Sequence, residues 1–470
     1  MASLERAATL TRAEPAARGL DAEGYPRIGY AWYVVGVLLV AAVTSYLDRY
    51  LISLLVEPIK RDLLLTDTQI SLLQGFAFAV FYVLLGLPFG ALVDRSNRRT
   101  ILVVGVSLWS AMTIACGFAS NFTELFVARA GVGIGEACLA PAAYSLIADY
   151  FRPSSRGRAM GVYNIANYIG IGASLLIGGI VISLVGQAAV ATLPMVGEVA
   201  SWKAVFFVVG APGLLVALWL FTVREIPRKQ TGRVQHTGSV FALFFAHLRQ
   251  HPRAYLCLYT VSTMTAFVGL TFAAWGPSFF IRQLGVSPAQ VGLHLGPVTA
   301  ISGVLGSLCS GVLSDWLVRR GHPVGRFMVP LIWWPIAMIA LPVIGMAGSE
   351  AVALAGTAAL TFGSGIGLAS VPPMIQDITP NRLRGQATAT HFIFSGLLGM
   401  GVAPTLIALV TDHVFHDPKA LSASLLTVLL PVTAIGLAAS LLGRGAYAAA
   451  RCQLADEERA ATAKSEGVRP

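Results

Sequence analysis

Four ionisable residues stand inside apolar runs of this chain: Asp48 and Arg49 in one, Arg129 and Glu136 in another. A charge at bilayer depth costs about 2.5–3.5 kcal/mol on insertion scales, so each needs a partner or a water-filled cavity. Two guanidiniums beside two carboxylates can grip an anion through paired N–H groups and also take up or release a proton. Arg129 and Glu136 are two helical turns apart, so they share a helix face and differ in depth by about 10 Å. Counting from the ends of the runs puts Asp48, Arg49 and Arg129 in the outer half and Glu136 nearer the midplane. The expected roles are anion binding by Arg49 and Arg129 and proton coupling by Asp48 and Glu136, with Glu136 the carrier. Burial and a neighbouring guanidinium pull a carboxyl's proton affinity in opposite directions, so the affinity can differ between conformations. Two structural salt bridges are the plainer alternative. Tyr46, Tyr50 and Tyr144 are candidate cavity aromatics, with core packing as the alternative role.

A second set of residues recurs. Gly90-Ala91-Leu92-Val93-Asp94-Arg95-Ser96-Asn97-Arg98-Arg99 is answered by Gly311-Val312-Leu313-Ser314-Asp315-Trp316-Leu317-Val318-Arg319-Arg320, and the shared frame is G-x-L-x-D-x-x-x-R-R. Asp149, Arg156 and Gly157 are matched in the same way by Asp377, Arg384 and Gly385. Repetition at about half the chain length points to a duplicated membrane bundle, an architecture typical of solute carriers. In each copy the Gly lets another helix come close, and the Asp can accept from a helix N-terminus. The Arg pair can reach a carboxylate at another helix end, such as Asp149 or Asp377. Together these residues form a candidate gate at the cytoplasmic face.

The elements that must position these residues are membrane spans. The chain of 470 residues is 56% hydrophobic and 12% charged, against about 25% charged in soluble domains. Mean hydropathy is +0.71. Apolar runs predict twelve spans at 31–56, 69–93, 100–118, 122–149, 158–184, 202–223, 254–281, 290–316, 326–346, 351–376, 385–411 and 420–446. The predicted fold is all-α, with two pseudo-symmetric six-helix bundles at 31–223 and 254–446. A cytoplasmic linker at 224–253 joins them, and cytoplasmic tails occupy 1–30 and 447–470, the latter expected to fray. Lys and Arg crowd the even-to-odd turns and the linker, whereas the opposite turns hold only Lys60, Arg61, Lys203, Arg282 and Lys419. The positive-inside bias therefore predicts that both termini are cytoplasmic, in the inner membrane of the cell. It also explains the net charge of +10 without nucleic acid.

The repeated string resembles the loop motif of the major facilitator superfamily, and the twelve-span layout in two halves is similar to that family along nearly the whole chain. One departure is Asn97, where the family usually has Gly; Asn tolerates a left-handed turn better than most residues. Ser45-Tyr46-Leu47-Asp48-Arg49-Tyr50, with Gly133-Ile134-Gly135-Glu136-Ala137 and the following Pro141, Tyr144 and Asp149, resembles the Spinster family. Ser45 departs from the Asn common there. The resemblance implies transport of lysophospholipids, sphingosine-1-phosphate or related lipids, in several members with protons. It also implies that Asp48, Arg49, Arg129 and Glu136 match the family's charged cavity residues. The anion:cation symporters, which take up sugar acids, share a Tyr-x-Asp-Arg and the later Glu, so a small organic anion is the alternative substrate.

Other chemistry finds no support in the sequence. Gly131, Gly133 and Gly135 lack the third Gly of a dinucleotide loop and read as a helix-packing face. The cysteines have no metal or redox spacing, and no nucleophile triad or phosphate loop is present, so no enzyme, cofactor or metal is expected. His294 and His391 are lone histidines and read as structural, with titration near neutral pH as the alternative role. Residues 1–28 lack the core of a signal peptide. The expected partners are a small-molecule or lysolipid substrate, protons and the bilayer, with the monomer as the working unit. A non-transporting sensor or scaffold, or a channel, is the alternative from another class.

Overall fold

The computed structural model describes residues 21, 24–185, 190–193, 197–228, 240–322 and 324–466. Residues 1–20 and 22–23 of the predicted N-terminal tail and 229–239 of the predicted linker therefore lie outside the described residues. Among the described residues, twelve helices are long and apolar enough to cross a membrane. In order, spans 1 to 6 are Ile28–Leu54, Asp67–Gly86, Arg98–Cys116, Phe122–Tyr150, Pro153–Val185 and Ser201–Leu220. Spans 7 to 12 are Pro252–Leu284, Pro288–Arg319, Gly325–Gly345, Glu350–Ile378, Asn381–Phe415 and Pro418–Ala460. The chain is a multi-pass membrane protein built of two six-helix halves. The end that holds the starts of spans 1 and 7 is the near side below, and the opposite end is the far side.

The halves meet along two seams. In one, span 5 lies against span 8 backbone to backbone. A Cβ on Gly172 would come within 2.5 Å of the Gly296 carbonyl, and one on Gly292 within 2.6 Å of the Gly179 Cα. In the other, span 2 meets span 11 at Gly75, where a Cβ would sit 2.2 Å from the Met400 carbonyl oxygen. Pro404 has no N–H to offer Met400, and around this position span 11 widens to a π-helix over Ser395–Val402. Within the first half, Gly131 and Gly135 face span 3 and Gly133 faces span 2, as a packing face requires.

Three irregular turns converge on the centre of the first half. Span 1 is α-helical over Ile28–Tyr50 and then tightens to a 3-10 turn at Leu51–Leu54. Span 2 widens to a π-turn at Leu72–Phe76. Span 4 is interrupted just after Glu136 and resumes at Leu139–Tyr150. Pro141 accounts for that break, because it cannot donate to the Ala137 carbonyl and its ring crowds it.

Two features depart from the sequence reading. A small antiparallel hairpin pairs Val190–Leu193 with Gly197–Ala200 between spans 5 and 6. The last helix does not stop near residue 446 but runs from Leu421 to Glu466. Tyr447, Ala450 and Leu454 on this stretch are buried, so its beginning packs on the bundle and does not fray.

Candidate functional site

The interrupted helices bring Arg49 and Glu136 together. Arg49 Nη2 donates to Glu136 Oε2 at 2.5 Å, and Ser45 Oγ donates to the same oxygen at 2.6 Å. The Arg49 guanidinium lies over the rings of Phe78, Tyr46 and Tyr82, with centroids at 4.2, 5.1 and 5.2 Å. Aromatic faces attract a desolvated cation, so this cage offsets part of the cost of its burial. Tyr46 and Tyr50 stack at 6.4 Å. Depth counting places Glu136 a layer away from Arg49, but the two are in direct contact. The count holds only for unbroken helices, and both helices are irregular here.

Arg129 has a different setting from the one expected. It is fully buried and donates to three main-chain carbonyls: Asp48 at 2.9 Å, Arg49 at 3.1 Å and Leu73 at 3.3 Å. These carbonyls border the 3-10 turn of span 1 and the π-turn of span 2, where the regular helical pattern of acceptors is interrupted. The guanidinium fork is thus taken up by backbone and pins span 1 to span 2. It is not presented to a ligand. Asp48 is also fully buried, and its carboxyl lies beside Thr113 and Trp109 of span 3.

A pocket opens beside Arg49 at the junction of the halves. Arg49, Tyr50, Ile52, Ser53 and Gln74 line it from the first half, and Leu270, Ala274, Met400 and Pro404 from the second. Its first-half wall is polar and its second-half wall is apolar. Arg49 Nε, Tyr50 Oη, Gln74 Oε1 and Glu136 Oε1 are buried without a hydrogen-bond partner, so unused donors and acceptors gather around it. Gln74 Nε2 bridges the halves to the Ala274 carbonyl at 3.3 Å. Tyr144 sits further toward the near side, donating to Asn164 at 2.5 Å and packing edge-on against Tyr163. Reading charges alone missed Phe78, Tyr82 and Gln74; a glutamine within the apolar run of span 2 was the available signal.

The repeated motifs build two unlike clamps on the near side. In the first half, Arg98 is buried and ion-paired with Asp149 and, at 2.6 Å, with Glu225, and it donates to the Ile226 carbonyl at 2.7 Å. Arg99 N–H also donates to Glu225 at 3.2 Å. Arg156 donates to the Ala148 carbonyl at 2.7 Å. Asn97 does not adopt a left-handed turn: its φ is −69°, and its side chain caps span 3 by accepting from Thr100 N–H at 3.0 Å. Residues 224–228, expected as plain linker, fold back so that Arg228 donates to the carbonyls of Val93, Asp94 and Ser96. In the second half Asp377 pairs with Arg326 and accepts from Tyr447 at 3.1 Å, while Arg319 and Arg320 stay exposed. The reason is loop length: span 8 still includes Arg319, and span 9 begins only at Gly325, so Arg326 occupies the place that Arg98 holds. Arg384 donates to the Thr379 carbonyl at 3.2 Å. Asp94 and Asp315 are exposed and form no ion pair among the described residues, and Gly90, Gly311 and Gly385 face open space.

A profile described as the Major Facilitator Superfamily matches residues 38–404. The chain belongs to that superfamily. As a member it is a membrane transporter of a small-molecule substrate and not an enzyme. It is 28% identical to an MFS-type efflux pump of Mycolicibacterium smegmatis, over 86% of this chain and 91% of that protein. It is 27% identical to protein spinster homolog 1 of Xenopus tropicalis, over 81% of this chain and 73% of that one. A probable L-galactonate transporter of Escherichia coli is 30% identical over 61% of this chain and 62% of that protein. Among solved structures, a bacterial homologue of the human lysosomal transporter Spinster superposes with a TM-score of 0.72 at 26% identity. That match covers 90% of this chain and 98% of the other, which was captured inward-facing and unoccupied. The chain therefore resembles the Spinster proteins within its superfamily.

Proposed function

We propose that this transporter carries an organic anion with an apolar portion across the inner membrane by alternating access, coupled to protons. The observation that supports this most is Arg49: a buried guanidinium in an aromatic cage, with an unused Nε, at the edge of a pocket polar on one wall and apolar on the other. A lysolipid-like molecule fits that division, its anionic head toward Arg49 and its apolar part toward Leu270, Met400 and Pro404. In this reading the near side, with both termini, is cytoplasmic, and the monomer is the working unit.

Coupling follows from competition for one cation. While Arg49 holds Glu136, that carboxylate is paired; an arriving anion takes its place and leaves Glu136 free to accept a proton. Asp48 is the second carboxyl of the pair, and Arg129 acts as a positioning residue through the main chain of spans 1 and 2. A sugar acid is the second reading, supported by the names of the galactonate transporter and of a probable galactarate/D-glucarate transporter of Bacillus subtilis.

The test is binding to the purified protein of lysolipids and sugar acids side by side, then uptake and counterflow in proteoliposomes. Saturable counterflow of one class is expected, lost in Arg49→Ala and poorly restored in Arg49→Lys, which lacks the planar fork. Equal transport of a cationic substrate by wild type and Arg49→Ala would remove the anion reading, and absence of saturable counterflow would favour a scaffold or a channel.

A further inference from the structure

The far side carries a polar cluster that the proposed binding site does not use. Arg282, in the last turn of span 7, is largely buried and reaches across to the first half. Its Nε donates to Glu57 Oε1 at 2.6 Å, and Nη1 and Nη2 donate to the two oxygens of Asp67 at 2.6 and 2.7 Å. Glu57 lies on the short helix Val56–Leu63 between spans 1 and 2, and Asp67 opens span 2 and is fully buried. Lys60 of the same short helix also pairs with Asp67. A second contact crosses beside it: the N–H and the hydroxyl of Thr68 both donate to Asp412 of span 11, each at 2.7 Å. That carboxylate sits on the N-terminus of span 2, where unpaired N–H groups and the helix dipole favour negative charge.

The placement of these contacts matters. Among the described residues, the ion pairs between the halves are those of Arg282. On the near side the motif residues Asp94, Asp315, Arg319 and Arg320 are exposed. The cluster also divides unequally: if the halves part here, Arg282 leaves with the second half, but Lys60 stays with Asp67 on the first. Asp67 is then not left as an unpaired buried charge, the case that makes breaking a buried ion pair costly. Glu57 and Arg282 lie at the edge of the seam, where opening restores their hydration. Arg282 therefore favours the closed state, while Lys60 keeps release from stranding Asp67.

We propose that Arg282 with Glu57 and Asp67, and Asp412 with Thr68, form the latch that holds the far side shut, and that Lys60 is the stand-in cation that lets it release. The latch rests on the reading that the site opens to each side in turn, but its readout needs no substrate.

The experiment measures the distance between spin labels at Leu64→Cys and Met346→Cys, two exposed far-side positions in different halves, with the five native cysteines replaced. The parent should show one short distance. Arg282→Gln and Asp412→Ala should each raise a longer-distance population by about tenfold or more, the scale expected when a charge pair buried across an interface loses one partner. Arg282→Lys should fall between, and Thr68→Val should act in the same direction as Asp412→Ala, less strongly. Lys60→Gln should instead favour the short distance, because opening would then strand Asp67. If Arg282→Gln fails to fold, Asp412→Ala and Thr68→Val decide alone. Distances unchanged in the folded variants would overturn the latch even if transport proceeds; changed distances in the variants, with no saturable counterflow of lysolipid or sugar acid by the parent, would leave the latch standing and count against the substrate reading.

Discussion

At the scale of single residues, Glu136 has one oxygen bound by both Arg49 and Ser45 and the other without a partner. Glu136→Gln keeps the shape and the hydrogen bonds but removes the exchangeable proton. Accumulation driven by a pH gradient should disappear in this variant, while exchange at equal pH persists in part; full gradient-driven accumulation would reassign the carrier to Asp48 or to a histidine. Arg129 gives a contrasting outcome. Lys at this position cannot serve three diverging carbonyls, so Arg129→Lys should destabilise the fold by about 2–3 kcal/mol, as when buried acceptors lose a charged partner. Its signature is a lower melting temperature with substrate preference unchanged, whereas Arg49→Lys should weaken binding with little loss of stability. The four charges were legible in the sequence because an ionisable residue in an apolar run has few explanations. Their pairing was not legible, because helical spacing gives a face and a depth only while the helix is regular. Arg129 went to the backbone because spans 1 and 2 are irregular where it meets them.

At the scale of helices, Gly75 shows how a seam depends on one hydrogen atom. A Cβ there would overlap the Met400 carbonyl, and neither partner is a flexible side chain. Gly75→Ala should therefore oppose the far-side-closed state and enlarge the same long-distance population that Arg282→Gln does, without touching a charge. Equal distance distributions in Gly75→Ala and the parent would mean that this contact does not limit closure. The near-side motif predicts the reverse. Asp94 is exposed here, so Asp94→Asn should leave this state's stability unchanged and weaken only a conformation in which the near side closes. Cysteine labelling at near-side positions should then rise by a few kcal/mol's worth of population at most; unchanged labelling with full transport would remove Asp94 from the gate. The repeated string disclosed this clamp, but its partners Glu225 and Arg228 were hidden, because Arg in a turn after a span reads equally well as an orientation charge.

At the scale of the whole molecule, hydropathy and repetition were enough for twelve spans and two halves, since spanning length and internal symmetry are sequence properties. What they could not carry was which end is closed, because the same contacts are made and broken in a working cycle. The end of the last helix was misplaced for a different reason. Residues 447–466 are rich in Ala, Glu and Arg, so they look like a polar tail, yet their first turns finish the second-half clamp. Tyr447 stacks on Phe327 with ring centroids 4.7 Å apart and donates to Asp377 at 3.1 Å, and Arg451 approaches the same carboxylate at 4.0 Å. Truncation after residue 446 would remove a fully buried aromatic and leave Asp377 with Arg326 alone. By comparison with large-to-small core substitutions it should cost about 3–5 kcal/mol. Truncation after residue 460 keeps the buried Tyr447, Ala450 and Leu454 and should be nearly neutral. Thermal melts of the two truncations in the same detergent separate these outcomes. Equal melting temperatures would return the whole segment to the status of a tail. A drop confined to the shorter chain, matched by Tyr447→Ala, would make the start of the segment a structural part of the second half.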